Sequence, residues 1–219
     1  YIKEWIMTNE FKLIFLLLIF FNSSIVFSAP TVYKNGMDAM KKGEYENALI
    51  HLETAANDGH PEAHRHLGLM YRDGKGVKQD YMSAIDWFQK GSEYGDSGAM
   101  FHLGLMHEKG LGVSQNFTTA ANWYKKSAEE GKNNGQYALA ELYRKGNGVP
   151  KDLKLAEKWY RLAAENVNEH KSAQYWLGFF YEKGRGVPQD KKIAEEWYLK
   201  ASENGHKAAK KALIRLKEG

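Results

Sequence analysis

Three sets of residues recur along this chain at one shared spacing. Gly-x-Gly-Val stands at Gly74–Val77, Gly110–Val113, Gly146–Val149 and Gly184–Val187, with successive copies 36, 36 and 38 residues apart. Tryptophan keeps the same steps at Trp87, Trp123, Trp159 and Trp197, each followed by a second aromatic: Phe88, Tyr124, Tyr160 and Tyr198. Leucine repeats them at Leu67, Leu103, Leu139 and Leu177. A period of this length marks a supersecondary unit used several times over. Such a unit cannot bury its apolar face alone, so it must stack on its neighbours.

Each unit reads as two helices. The first carries small and apolar residues at helical spacing, as in Ala63, Leu67 and Met70-Tyr71, and stops at Gly74, where a left-handed cap suits glycine. A loop passes Gly76 and Val77. Asp80, Asn116, Asp152 and Asp190 are then placed to accept from the free N–H groups of the second helix. That helix carries Ala84, Trp87, Phe88 and Gly91 on one face, and the small residues Ala84, Ala120, Ala156 and Ala194 would let helices approach closely.

Four full units follow from this register: 61–96, 97–132, 133–170 and 171–206. The two extra residues of the third fall at the turn around Asn166–His170. Residues 30–60 read as a shorter pair of tetratricopeptide type, with Gly43 at its turn. Residues 207–219 read as one closing helix, with Ala209, Leu213 and Leu216 facing inward and its lysines keeping the outer face wet. Residues 1–28 are expected to comprise upstream residues and a secretory signal. Lys12 precedes the apolar run Leu13–Phe21, and small residues follow up to Ser28, after which cleavage is expected. That run is 9 residues, whereas a membrane-spanning helix needs ~20, so no stable membrane insertion is expected once the signal is removed. The remainder would work in the periplasm or be secreted.

Composition narrows the function. The formal net charge is +4 and survives removal of the first 28 residues, spread along the chain without the concentrated basic stripe of a nucleic-acid binder. There is no cysteine, which excludes disulfides, thiolate metal sites and a cysteine nucleophile.

The pattern A-x-x-x-L-G-x-M-Y-x-x-G-x-G-V-x-x-D…A-x-x-W-Y resembles the Sel1-like repeat, a relative of the tetratricopeptide repeat. The resemblance spans about Pro61–His206. It departs mildly at Arg65, where an aromatic is usual, at His107 in place of tyrosine, and at Ala140 in place of the glycine after leucine. It implies an all-α, right-handed superhelical solenoid of an exported bacterial protein. The first helices would line the inner surface and bind a peptide or protein partner, without catalysis. Some relatives have been described with hydrolytic activity on cell-wall-related substrates, so a β-lactamase-like or peptidoglycan-related hydrolase is the alternative.

On that inner surface three rows of candidates stand out. Leu69, Leu105, Glu141 and Phe179 follow the Leu-Gly pair. Arg65, Phe101, Tyr137 and Tyr175 stand two residues before the leucine. Arg72, Glu108, Arg144 and Glu182 come late in the same helices. Together they predict a groove with an apolar floor and mixed charge, suited to an extended or helical peptide. Cover by neighbouring units would instead make Leu69, Leu105 and Phe179 plain core, and periodicity alone does not separate these readings.

Little else points to chemistry. His60, His64 and His66 lack a third ligand at sensible spacing, because residues two apart on a helix point in different directions. There is no G-x-S-x-G elbow, and the Gly-x-Gly loop lacks the strand and third glycine of a dinucleotide site. No cofactor and no metal are called for.

Overall fold

The computed structural model describes residues 31–166 and 170–218. The expected signal segment and residues 167–169 of the enlarged turn lie outside the described residues. Within them regular structure is helical throughout, in eleven helices with no strand. Residues up to Gly95 and residues from Asp96 form two compact units.

The first unit holds α1 (31–42), α2 (Tyr45–Asn57), α3 (Pro61–Asp73) and α4 (Tyr81–Glu93). The second holds α5 (Ser97–Lys109), α6 (Phe117–Glu129), α7 (Asn133–Lys145), α8 (Leu153–Glu165), α9 (Lys171–Lys183), α10 (Lys191–Glu203) and α11 (Lys207–Glu218). The helices alternate as first and second members of each repeat, as the periodicity predicts. Consecutive helices pack within each unit, so one repeat lies on the next: α2 on α3, α6 on α7, α8 on α9 and α10 on α11.

The loop residues act as read. Gly74, Gly110, Gly146 and Gly184 close the first helices in the left-handed region, at φ between 63° and 80°, where a Cβ would be strained. The backbone N–H of Asp80 then turns back to the carbonyl of Tyr71 at 2.9 Å, and Asn116, Asp152 and Asp190 repeat the bond to His107, Tyr143 and Tyr181. The side chains of these four residues accept from the first N–H groups of α4, α6, α8 and α10. The loop's second glycine is needed for approach: a Cβ on Gly148 would lie 2.2 Å from the carbonyl carbon of Phe117. The loop of one repeat therefore sits on the start of the previous repeat's second helix.

In three of the four full repeats the two helices meet through one matched pair. The rings of Phe88, Tyr124 and Tyr198 lie over Gly68, Gly104 and Gly178, where an added Cβ would stand 2.5 Å from ring carbon. The leucine ladder and the alanines 84, 120, 156 and 194 are buried throughout. The second aromatics, Phe88, Tyr124, Tyr160 and Tyr198, are all fully buried, as is Phe180 of α9, and each such burial contributes about 1.5–3 kcal/mol. The tryptophans before them were expected in the same row. Three of the four stay partly exposed, and Trp197 alone is buried. Adjacent helical residues differ by about 100° in direction, so only one of the two can face the partner helix squarely. Lysines one turn on cover the tryptophans: Lys90 on Trp87, Lys126 on Trp123 and Lys200 on Trp197, at 4.4, 4.4 and 4.7 Å.

In the second unit the buried clusters are joined by shared half-buried rings. Tyr143 and Trp159 touch the clusters around both Tyr124 and Tyr160, and Phe179 and Tyr181 those around both Tyr160 and Tyr198. The core is thus continuous from repeat to repeat, as stacking requires. At the end of the chain Ala209 and Ala212 are the buried residues of α11, with Leu213 and Leu216 half-covered.

Candidate functional site

Within the second unit, a hollow of about 310 Å³ opens between the first helices of two successive repeats. Helix α5 supplies Phe101, Leu105 and Glu108, which share a face because they stand four and three residues apart. Helix α7 supplies Asn134, Tyr137 and Ala138, and His170, at the start of α9, closes one side. Tyr124 of α6 reaches the hollow from behind, past Gly104. Four of the residues expected in a groove, Phe101, Leu105, Glu108 and Tyr137, therefore come together, each only partly buried. In the first unit a hollow of about 370 Å³ at Gly43–Asn47 and Gly76 includes none of them.

The walls are stiff for identifiable reasons. Tyr137 stacks on the His170 ring at 4.3 Å, and the Nδ1 of His170 accepts from the N–H of Ala173 as the N-cap of α9. Burial pushes the His170 imidazole below its ordinary pKa, which favours the neutral ring, the form in which Nδ1 can accept as a cap. The same device recurs along the chain: Tyr33 stacks on His60 at 4.0 Å, and Tyr175 on His206 at 4.6 Å. His206 also caps its helix through Nδ1. These histidines tie a first-helix aromatic to the start of the next first helix. His64 is buried, with Nδ1 3.1 Å from the carbonyl of His60. Among the described residues no group of three His, Cys, Asp or Glu residues is arranged to hold a metal ion.

The late first-helix charges are engaged within the fold. The Tyr124 hydroxyl donates to Glu108 at 2.5 Å, and the Tyr198 hydroxyl donates to Glu182 at 2.7 Å. Glu182 is buried, with Lys183 at 2.7 Å and Arg215 of α11 at 2.6 Å, so it does not face a groove as an open charge. Burial pushes its carboxyl up, and the bonds from Lys183, Tyr198 and Arg215 outweigh that, leaving it below the ordinary range.

The third repeat differs. It has Ala140 where its neighbours have glycine, and its tyrosine hydroxyl, from Tyr160, donates to Glu141, one turn earlier in the first helix. Arg144 forks onto Glu141 at 3.0 and 2.7 Å, donates to the Tyr160 hydroxyl oxygen at 3.2 Å, and lies 4.1 Å from the Trp176 ring centre. Lys145 adds a contact at 2.8 Å. Burial would raise the Glu141 carboxyl, but these donors hold it down at about 2.

The remaining candidates sit in mixed positions. Leu69 and Arg65 of α3 are partly buried, and Arg72 pairs with Asp73 at 2.7 Å. Tyr175 and Phe179 pack against buried clusters, and Arg185 covers Phe179 at 5.3 Å from its ring centre. Sequence reasoning missed Tyr124, Asn134, Ala138 and His170 in the hollow, and Arg215 on Glu182. One signal was present: glutamate stands 16 residues before tyrosine in Glu108/Tyr124 and Glu182/Tyr198, whereas Arg72 stands 16 before Phe88.

The comparisons bear on most of the chain. The Sel1 repeat profile matches residues 29–60, 61–96, 97–132, 134–168 and 171–206, so the short first pair counts as a repeat too. The crystal structure of a Sel1 repeat protein from Oxalobacter formigenes superposes with a TM-score of 0.76 at 35% identity, over 83% of this chain and 74% of that one. c5321, a protective antigen of uropathogenic Escherichia coli with the same repeat fold, gives a TM-score of 0.79 at 28% identity. That match covers 89% of this chain but 43% of the antigen. No curated protein matches. Sel1 repeats are generally protein-interaction scaffolds. With five matches in register over most of its length, the chain belongs to the Sel1 repeat family.

Proposed function

We propose that this protein is a non-catalytic adaptor that binds a peptide or protein along its first helices, with the hollow between α5 and α7 as the anchoring point. One observation carries the reading: Phe101, Leu105 and Tyr137 are held partly open around a concavity, when the fold could have closed over them. Aromatic and aliphatic side chains fixed in a concave surface are typical anchors for a partner side chain. The perturbed carboxylates favour structure over catalysis. An acid or base at neutral pH needs a pKa near the working pH, and Glu141 at about 2, saturated by Arg144, Lys145 and Tyr160, is far from it. The apolar run Leu13–Phe21 supports export, and a mature N-terminus at Ala29 in a secreted or periplasmic fraction would test it.

A photo-reactive residue at position 105 should cross-link a partner in cells, whereas one at the exposed Lys158 on the second-helix side should not. Equal labelling at both positions would defeat the groove reading. Leu105→Ala should weaken partner binding with little loss of stability. Phe179→Ala should mainly lower stability, because Phe179 packs on two buried clusters.

A further inference from the structure

The carboxylate of this hollow lacks the arginine that its counterpart Glu182 has. Glu108 and Glu182 hold the same place in their repeats, as do Tyr124 and Tyr198. Beside Glu182 the pair is completed by a guanidinium: Arg215 donates from Nη2 to Oε2 at 2.6 Å, on the oxygen that also accepts from Tyr198. In the third repeat a guanidinium again completes the set, with Arg144 forked onto Glu141, touching the Tyr160 hydroxyl and lying on the Trp176 ring. Glu108 has the Tyr124 hydroxyl at 2.5 Å and the exposed Lys109 at 3.8 Å, and among the described residues no arginine reaches it. By repeat position, the counterpart of Arg215 in the next first helix is Glu141, which is held by Arg144 and Lys145. Where the third and fourth full repeats place a guanidinium, this one has the open hollow.

We propose that the hollow receives an arginine side chain from the partner. Its guanidinium would lie on Glu108, its stem along Leu105 and Ala138, and its plane against the rings of Phe101 and Tyr137. A planar cation with several donors suits a carboxylate flanked by aromatic faces, and arginine makes both contacts at once. The volume, about 310 Å³, admits one such side chain. This inference rests on the groove reading and names the residue that the groove selects.

The test uses three capped pentapeptides, alanines around a central arginine, citrulline or leucine, titrated into the full chain and followed by NMR. The arginine peptide should shift the signals of Phe101, Tyr137 and Leu105. It should bind about tenfold more tightly than the citrulline peptide, which has nearly the same shape without the charge. Glu108→Gln should remove that preference, and added salt should weaken binding of the arginine peptide. Equal binding of the arginine and citrulline peptides by the unmodified protein would overturn the inference. Preferred binding of the leucine peptide at the same residues would also overturn it while leaving the groove reading in place. Shifts from none of the three peptides would overturn it and remove the hollow as the seat of the proposed function.

Discussion

Gly104→Ala tests the matched pair that joins the helices of a repeat. A methyl on Gly104 would lie 2.5 Å from Cδ1 and 2.6 Å from Cε1 of Tyr124. Non-bonded carbons rest at about 3.5–4.0 Å, so the ring must retreat by roughly 1 Å. It has nowhere easy to go, being 1% exposed. Overpacking of this kind costs about 1–3 kcal/mol. The retreat also strains the hydroxyl bond to Glu108, and a hydrogen bond to a charged group contributes about 1.5–3 kcal/mol, of which part is lost. Against this, alanine is about 0.8–1 kcal/mol better than glycine inside a helix. The net expectation is a loss of about 2 kcal/mol, or roughly 4–8 °C in Tm for a chain of this size. The third repeat supplies the compensation, since Ala140 there accompanies Glu141 and Arg144. The triple change Gly104→Ala, Leu105→Glu, Glu108→Arg should therefore recover about half of the loss, the remainder missing because Ala138 stands where Trp176 supports Arg144. Urea unfolding followed by ellipticity would measure both. A Gly104→Ala chain as stable as the parent, or a triple variant no more stable than the single one, would refute the pairing.

Acidification should weaken the fold in two windows. Burial lowers the pKa values of His107, His170 and His206, so the unfolded chain takes up protons that the folded chain refuses, and stability present above about 6.5 is lost as pH falls. A second loss, from Glu141, should begin below its ordinary 4.5 and continue toward 2, and urea midpoints that stay flat from pH 7 to pH 3 would contradict both. Tyr160→Phe removes one donor from Glu141 and should raise its carboxyl pKa measurably above 2 by carbon NMR, with a stability loss of about 1–2 kcal/mol. Tyr124→Ala should cost about 3–5 kcal/mol, and Trp123→Ala clearly less, because the first ring is buried and the second lies partly open under Lys126; denaturant curves for the two would show the order.

Most of the architecture was legible because it is written several times. Gly74, Gly110, Gly146 and Gly184 mark the helix ends, and Asp80, Asn116, Asp152 and Asp190 mark the starts. Each assignment is checked by the other repeats. What periodicity leaves open is which of two adjacent residues turns inward, so Trp123 and Tyr124 looked equivalent until Gly104 was seen to receive the tyrosine ring. The face of the site was legible for the same reason: Phe101, Leu105, Glu108 and Tyr137 follow from helical spacing within α5 and α7. The state of its charges was not. Glu182 is neutralised by Arg215, 33 residues away on another helix, and no pattern within one repeat contains that bond. Tyr124 and His170 were missed because each enters the hollow from a different helix.

A repeated architecture also changes what counts as a functional signal. The residues that the repeats share explain stacking, since each copy must present the same faces to its neighbours. Selectivity then has to reside where the copies differ. Position by position, Arg72, Glu108, Arg144 and Glu182 alternate in sign, and the aromatic 16 residues on follows as Phe88, Tyr124, Tyr160 and Tyr198. A tyrosine hydroxyl on a carboxylate leaves the negative charge in place, and moving that charge out of water is costly unless a cation answers it. Arg215 answers Glu182 and Arg144 answers Glu141. Among the described residues Glu108 has as its cation only the exposed Lys109 at 3.8 Å and no arginine, and it is tolerated because it remains in contact with solvent, at 25% side-chain exposure, through the hollow beside it. A ligand that closes the hollow without a positive charge would strand that carboxylate, and one that brings a guanidinium would complete it. The mouth of the hollow and the carboxylate without a guanidinium are thus two aspects of one feature, which is why the partner's chemistry can be argued from the side chains that stay at home.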